Sequence, residues 1–371
     1  MRALMHDVVT IRDDGMEWMD SEGPSTDIVL STRVRLARNL REFRFGLKAD
    51  PGDRREILAR AREAAAATDS LANGRALTMN GLTPAGRRLL LERHVVSKEL
   101  VGEEGTAPPS DAALLLASGE TLGMMVNEED HLRLQSLVGG FRLRDAWRRV
   151  DRLDEELSEN LEFAFHPEFG FLTSCPTNVG TGLRASVLVH LPGLVLTQEI
   201  ARVLQGIAQV GLTFRGLYGE GSEVVGNFFQ ISNQTTLGKS EEELIDHLQN
   251  VVQQVIQYER QARAVLLRDA PTVIEDKVWR AYGLLRYAHS ISFEEVMNLL
   301  SGVRLGLGLK LIPGVSVLTL NRIMLQAQSA HQEQMAGRAL GKNEEDISRA
   351  VYLRRMLARE PSSPPEERGN E

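Results

Sequence analysis

The feature that most constrains this chain is a change of hydrophobic period at Asp269-Ala270-Pro271. Before it, short period-two segments are interspersed with helical patterns; after it every apolar pattern has the helical period. This predicts a sheet-containing unit followed by an all-helical one. Leu183 to Leu191 is the clearest strand, with Arg184, Ser186, Leu188 and His190 on one face and Ala185, Val187, Val189 and Leu191 on the other. Ala112 to Ala117 and Thr121 to Asn127 read as a hairpin around Ser118-Gly119-Glu120, and Thr213 to Tyr218 and Asn227 to Ser232 as further strands. Helical patterns cover Asp53 to Ala67, Arg142 to Glu159 and Thr197 to Val210. This irregular order favours an α+β fold with an antiparallel or mixed sheet over a doubly wound one. Ser240 and Glu243 form a capping box, and a stripe from Leu244 to Ile256 continues as a helix to about Arg268 that closes the sheet domain. Helices are then expected at Val273 to Tyr287, from Ser292 with Glu295, at Val315 to Gln328 after a Pro313-Gly314 break, and at Asn343 to Arg359. The expected organisation is an N-terminal segment 1–24, a sheet domain 25–268, a helical domain 271–359 and a Pro-, Ser- and Glu-rich tail 360–371 that is disordered.

Composition removes several functional classes. A net charge of −8, with no lysine-rich or aromatic-interleaved stripe, argues against a nucleic-acid partner. Only six of the 43 basic residues are lysine. Codon usage explains the bias in general, but clustered arginines present rigid donor forks suited to phosphate. The single cysteine, Cys175, can close no internal disulfide and build no thiolate cage, which fits a reducing cytosol. No apolar run approaches the roughly 18 residues of a membrane span. The first residues carry Arg2, Asp7, Arg12, Asp13, Asp14 and Glu17 where a signal peptide needs an apolar core. The expectation is a soluble, cytoplasmic protein.

Four segments combine charge with Gly, Asn and Thr. In STRVRLARNL (Ser31 to Leu40), strand alternation points Arg33 and Arg35 the same way, so two guanidinium forks can converge on one polyphosphate; a solvated strand face is the plainer alternative. NEEDHLR (Asn127 to Arg133) puts three acids and an arginine just after an apolar strand, where catalytic loops sit, or where a charged turn sits. In TSCPTNVGTGLR (Thr173 to Arg184), Cys175 stands in a polar loop, poorly placed for an inert buried thiol. RGLYGE (Arg215 to Glu220) opens a glycine-punctuated loop that runs on to Gly238.

Together these segments closely resemble the ATP:guanido phosphotransferases, the fold family of the arginine and creatine kinases, from about Ser25 to Arg268. Within it, GPSTDIVLSTRVRLARN, ERH at Glu92 to His94, and RGLYGE are similar to the bacterial protein-arginine kinases. The resemblance implies an antiparallel catalytic sheet flanked by helices. It also implies an ATP site around Arg33, Arg35, Arg133, Arg184 and Arg215, with Ser31, Thr32, Val34, His94, Ala185, Ser186, Val187, Leu188 and Gly216, Leu217, Tyr218, Gly219 and Glu220 as further contacts. Such chemistry rests on positioned cations more than on covalent steps. Mg²⁺ is then held mainly by phosphates and water, and no protein metal ligand is expected. A guanidinium has no free lone pair and must be oriented and deprotonated as it attacks. The family pattern assigns this to Glu129 and Glu220, with Cys175 as a thiolate that aids orientation and charge balance.

Small-molecule guanidino kinases carry a helical domain of about a hundred residues ahead of the catalytic one, closing over the free substrate. Here 30 residues precede Ser31, so an open acceptor pocket and a protein-arginine kinase are expected, the helical domain offering surface for a macromolecular substrate or self-association. A kinase of free guanidino compounds and an inactive phosphoarginine-binding adaptor are the alternatives. The resemblance further implies a role in stress response and protein quality control, an activator protein and an AAA+ protease as partners, and a homodimer. It also implies an allosteric phosphoarginine pocket where Glu345, Asp346, Arg349 and Ala350 align with an RD, two residues, then RA pattern. Glu345 replaces the leading arginine. It stands one helical turn from Arg349, so it can pair with Arg349 and repel a phosphoryl group, and pairing on a solvated helix face is the competing reading.

Overall fold

A computed structural model describes residues 16–19, 23–46, 49–71, 73–102, 106–216 and 225–358. Strands β1 (Val29–Arg38), β2 (Arg75–Thr78), β3 (Ala113–Leu116), β4 (Leu122–Val126), β5 (Leu132–Gly139), β8 (Leu183–His190), β9 (Leu212–Gly216) and β10 (Phe228–Asn233) form one sheet. Its order is β2-β3-β4-β5-β1-β8-β10-β9. Neighbours pair antiparallel throughout, as the expected α+β class requires. β6 (Phe165–His166) and β7 (Gly170–Phe171) make a separate small hairpin.

The sheet is two-sided in chemistry because its strands alternate. Val34, Leu36, Leu134, Ala185, Val187 and Ile231 are fully buried. They pack into one core with α1 (Pro51–Ala67), α4 (Leu143–Ser158) and α7 (Glu241–Asp269). Residues offset by one position carry the charged and hydroxylated side chains of the other face. α7 opens with the expected capping box, Ser240 accepting from the Glu243 amide and Glu243 from the Ser240 amide. Between β2 and β3 lie α2 (Pro84–Glu92) and α3 (Lys98–Val101), and between β8 and β9 lie α5 (Pro192–Leu196) and α6 (Ile200–Gln209).

After Pro271 the described chain is helical: α8 (Pro271–Tyr287), α9 (Phe293–Gly308), α10 (Val317–Gln326), α11 (Ser329–Ala336) and α12 (Lys342–Ala358). The single helix expected over Val315 to Gln328 is shorter, and α11 follows it as a separate helix. These helices share a second core that takes in Leu188 and Phe228. Both belong to the charged face, because Leu188 is two residues from Ser186 and Phe228 pairs with His190. The helical region therefore covers one end of the face that bears the arginines.

Candidate active site

The register assembles the arginines. Arg33 stands between Leu137 on β5 and Ser186 on β8, Arg35 between Gln135 and Arg184, and Arg133 opposite Ala37. On the far side, Arg215 pairs with Gln230, which pairs with Leu188. Cross-strand partners share a face, so Arg33, Arg35, Arg133, Arg184 and Arg215 all project from one side of four strands. Ser31, Ser186 and Leu188 share that side and line a small cleft with Arg33, His94 and Gln230. Thr32, Val34, Ala185 and Val187, expected among the nucleotide contacts, turn their side chains into the opposite core. Arg38 belongs to that side too. It is 1% exposed, forks onto Asp154 at 2.7–3.1 Å and lies 3.6 Å over the Phe171 ring, a structural arginine.

These cations are concentrated on one face, with Glu128 and Glu129 beside Arg133 at its edge. Burial lowers the Arg33 pKa to about 10. Burial also pulls Arg35 well below its ordinary value, with Arg33, Arg133 and Arg184 adding to the shift and Glu128 opposing it. Arg35 Nε is buried without a hydrogen-bond partner among the described residues. Such an arrangement is stabilised by a multiply charged anion, and its fixed forks match phosphate oxygens. His94 is uncharged here, its pKa lowered to about 3 by burial, then by Arg33 and His331.

The acid loop lies between β4 and β5, as expected. Glu128 is buried, takes Arg133 Nη1 at 2.5 Å and accepts the Ser97 hydroxyl. Glu129 is the accessible neighbour, 40% exposed at its side chain and 3.0 Å from Arg133 Nη2. Burial raises its pKa; Arg133 opposes the shift while Asp130, Glu128 and Glu99 reinforce it. A carboxylate poised above the usual range is suited to receive a proton.

Sequence reasoning missed the residue that brings the acid and cysteine loops together. Asp130 Oδ1 accepts from the Ser174 amide at 2.6 Å and from Asn39 Nδ2 at 2.7 Å, which places Cys175 one residue from an anchor in the Glu129 loop. Gly46, with φ +54°, packs where an added Cβ would lie 3.0 Å from Ser174 Oγ and 3.1 Å from the Glu129 carbonyl, so a side chain there would strain the backbone and push on both loops. His131 accepts the Leu40 amide on Nδ1 and so donates from Nε2 to the Arg44 carbonyl, fixing the same corner from below. The only signal for Asp130 in the sequence is its place as the third acid of NEED. Cys175 is partly exposed, its Sγ 3.0 Å from Thr177 Oγ1. Thr236 Oγ1 donates in the region of the Thr177 and Val179 carbonyls at 2.9 and 2.7 Å, holding the loop that follows. Gly216 ends β9, while Leu217, Tyr218, Gly219 and Glu220 lie outside the described residues. Among the described residues no group of three or more His, Cys, Asp and Glu side chains could hold a metal ion.

The chemistry of this face has counterparts among known proteins. Residues 56–262 match the ATP:guanido phosphotransferase C-terminal catalytic domain, and residues 271–368 match the protein-arginine kinase McsB C-terminal domain. The chain belongs to the ATP:guanido phosphotransferase family. Protein-arginine kinases of Bacillus cereus (strain G9842) and Brevibacillus brevis are each 44% identical to this guanido phosphotransferase, over 92% of its length and 95% and 94% of theirs. Lombricine kinase matches at a TM-score of 0.57 and 26% identity, over 64% of this chain and 68% of that one. The substrate-free duplicated taurocyamine kinase of Schistosoma mansoni matches at 0.56 and 26%, over 68% and 37%. This guanido phosphotransferase is therefore an ATP-dependent enzyme with a guanidino acceptor, and no described helix is long and apolar enough to cross a membrane.

The region aligned with the phosphoarginine pocket does not present a solvated face. Arg349 and Ala350 are each 1% exposed. Arg349 donates to the Ala327 carbonyl at 2.6 Å, to the Ile291 carbonyl at 2.9 Å and to Asp346 at 2.5 Å, with Glu345 at 3.5 Å. The pairing expected of Glu345 is present, but it belongs to a buried tie between α12, the end of α10 and the α8–α9 connection.

Proposed function

We propose that this chain transfers the γ-phosphoryl group of ATP to arginine side chains of proteins. The observation that carries the reading is the in-register face of five arginines beside an acid loop and a cysteine loop joined through Asp130. Arg33, Arg35, Arg133, Arg184 and Arg215 hold the phosphates and meet the charge that spreads over the moving phosphoryl oxygens. Glu129, with Glu220 from the loop after β9, grips the acceptor guanidinium and takes its proton as a guanidino nitrogen bonds to phosphorus and the bond to ADP breaks. Cys175 acts as a thiolate beside the guanidinium. Mg²⁺, held mainly by phosphate oxygens and water, supplies charge neutralisation. The residues suit such a substrate: the forks lie on one face, and Glu129 is accessible.

In this reading residues 25–268 are the catalytic domain and 271–359 the helical domain. The 44% identity to proteins called protein-arginine kinases supports a protein acceptor over a free guanidino compound. Stress response and protein quality control in the cytoplasm, an activator protein, an AAA+ protease that takes the marked substrates, and a homodimer complete the proposal. A phosphoarginine at Arg349 must displace Asp346 and Glu345, so a pocket at Glu345, Asp346, Arg349 and Ala350 is proposed as a weak one. The test is competition: with ATP and Mg²⁺, a denatured arginine-rich protein is expected to acquire phosphate in the presence of excess free arginine. Phosphorylation of free arginine alone would replace this reading with the small-molecule one.

A further inference from the structure

His94 takes φ +60° as the left-handed residue that ends α2, its amide donating to the Leu91 carbonyl at 2.9 Å and the Val95 amide to the Leu90 carbonyl at 3.3 Å. Its carbonyl accepts Gln135 Nε2 at 2.9 Å, and Gln135 is the cross-strand partner of Arg35. On the other side, two elements of the helical region hold the segment. Glu92, two residues earlier and the last residue of α2, caps α11: its carboxylate accepts the Ala330 amide at 2.8 Å and the His331 amide at 3.2 Å. It also accepts His331 Nδ1 at 2.7 Å, and His331 is 2% exposed. Separately, the His94 ring meets Trp18 edge-on at 6.0 Å, and Trp18 packs in a small core with Leu325 of α10. Asn321 of α10 donates to the neighbouring Met19 carbonyl at 3.2 Å.

We propose that Glu92 and His331 are positioning residues for the nucleotide cleft: through them the helical region fixes His94, and with it the Arg33 side of the arginine face, in the geometry that receives ATP. The inference rests on the nucleotide assignment made above and adds that the helical region helps to build that site. Among the described residues Glu92 and His331 make no hydrogen bond or ion pair with the acid or cysteine loops, and the link from this segment to the acid loop is Ser97 to Glu128, beyond His94, so loss of the clamp acts first on nucleotide binding. Freeing a buried, charge-assisted contact of this kind costs about tenfold in an equilibrium that depends on it.

The experiment is calorimetric titration of a non-hydrolysable ATP analogue into wild type, His331→Ala and Glu92→Gln, with KM for a protein acceptor measured in parallel. Leu353→Ala, at a fully buried residue of α12 in the core of the helical region, which includes neither Glu92 nor His331, controls for general loosening of that region. The expected result is nucleotide Kd raised about tenfold in both clamp variants, acceptor KM within twofold of wild type, and normal nucleotide affinity in Leu353→Ala despite its lower Tm. Should His331→Ala fail to fold, the isosteric Glu92→Gln gives the same reading. The proposal is overturned if the clamp variants bind nucleotide within twofold of wild type, if acceptor KM rises as much as Kd, or if Leu353→Ala weakens binding equally. Arg33→Ala separates the two layers: unchanged affinity there removes the cleft assignment itself, whereas lost affinity there with normal affinity in His331→Ala removes only the clamp.

Discussion

Removing the Asp130 carboxylate separates the catalytic loops without touching either reactant. In Asp130→Ala the Ser174 amide loses its acceptor and Asn39 Nδ2 loses one of two, keeping the Leu172 carbonyl at 3.1 Å, in a place where Asp130 is 1% exposed. Each unsatisfied buried donor costs about 1–3 kcal/mol. Asp130 Oδ2 itself lacks a partner, so removing the carboxylate also relieves an existing penalty. The net loss is then about 1–3 kcal/mol of unfolding free energy. Asp130→Asn is the informative contrast: both donors meet a single oxygen, Oδ1, so an amide oxygen can take both, and only the charge assistance is lost, about 1 kcal/mol. For activity, the Ala variant frees the Ser174 anchor, and displacement of a reacting group by about 1 Å can cost 10²-fold in rate. Denaturant unfolding and initial transfer rates on both variants test this. The reasoning is refuted if Asp130→Ala loses less than about 1 kcal/mol, or if it and Asp130→Asn transfer phosphate equally well.

Glu129→Gln and Glu220→Gln should each cut the transfer rate by about 10²–10⁴-fold with nucleotide affinity nearly unchanged; either variant at half of wild-type rate removes that residue from the acceptor site. Arg35→Lys should be damaging because a point charge cannot replace a bidentate fork, and normal turnover by the lysine variant would contradict the phosphate role. Cys175→Ser is expected to slow transfer strongly with an intact fold, and an unchanged rate would make Cys175 a packing residue. Acid should destabilise the fold through histidine. His94, near 3 in the folded state, and fully buried His190, also lowered by burial, bind fewer protons folded than unfolded as pH drops below about 6.5. Stability present above that pH is lost at about 1.4 kcal/mol per pH unit for each. His94→Gln should flatten the slope by one such share, and an unchanged slope in denaturant titrations would count against a neutral His94.

Much of this architecture was legible because it is written in local periods. The alternation of Leu183 to Leu191 identified β8 and both of its faces, and Ser240 with Glu243 located the start of α7. What a local pattern cannot carry is which strands become neighbours. Arg33, Arg133, Arg184 and Arg215 lie on four strands whose spatial order differs from their sequence order, so their convergence was available only through family resemblance. The expected helix ends at Gln328, and what the local pattern did not show is α11, an eight-residue helix with no side-chain cap of its own, whose Ala330 and His331 amides are taken by Glu92, 238 residues away from Ala330. The burial of Arg349, which neither the pocket nor the solvated-face alternative anticipates, comes from the Ala327 and Ile291 carbonyls of other elements. Asp130, Gln135 and Glu92 act through long-range contacts for the same reason.

The most direct test of the central claim is the chemical nature of the product bond. After incubation with γ-labelled ATP, Mg²⁺ and a protein acceptor, mass spectrometry under neutral conditions is expected to place phosphate on arginine side chains, with the label lost in mild acid as a phosphorus–nitrogen bond requires. Glu129→Gln, still binding ATP, is expected to give no such product. Acid-stable label on serine, threonine or tyrosine, or equal arginine labelling by Glu129→Gln, would contradict the account.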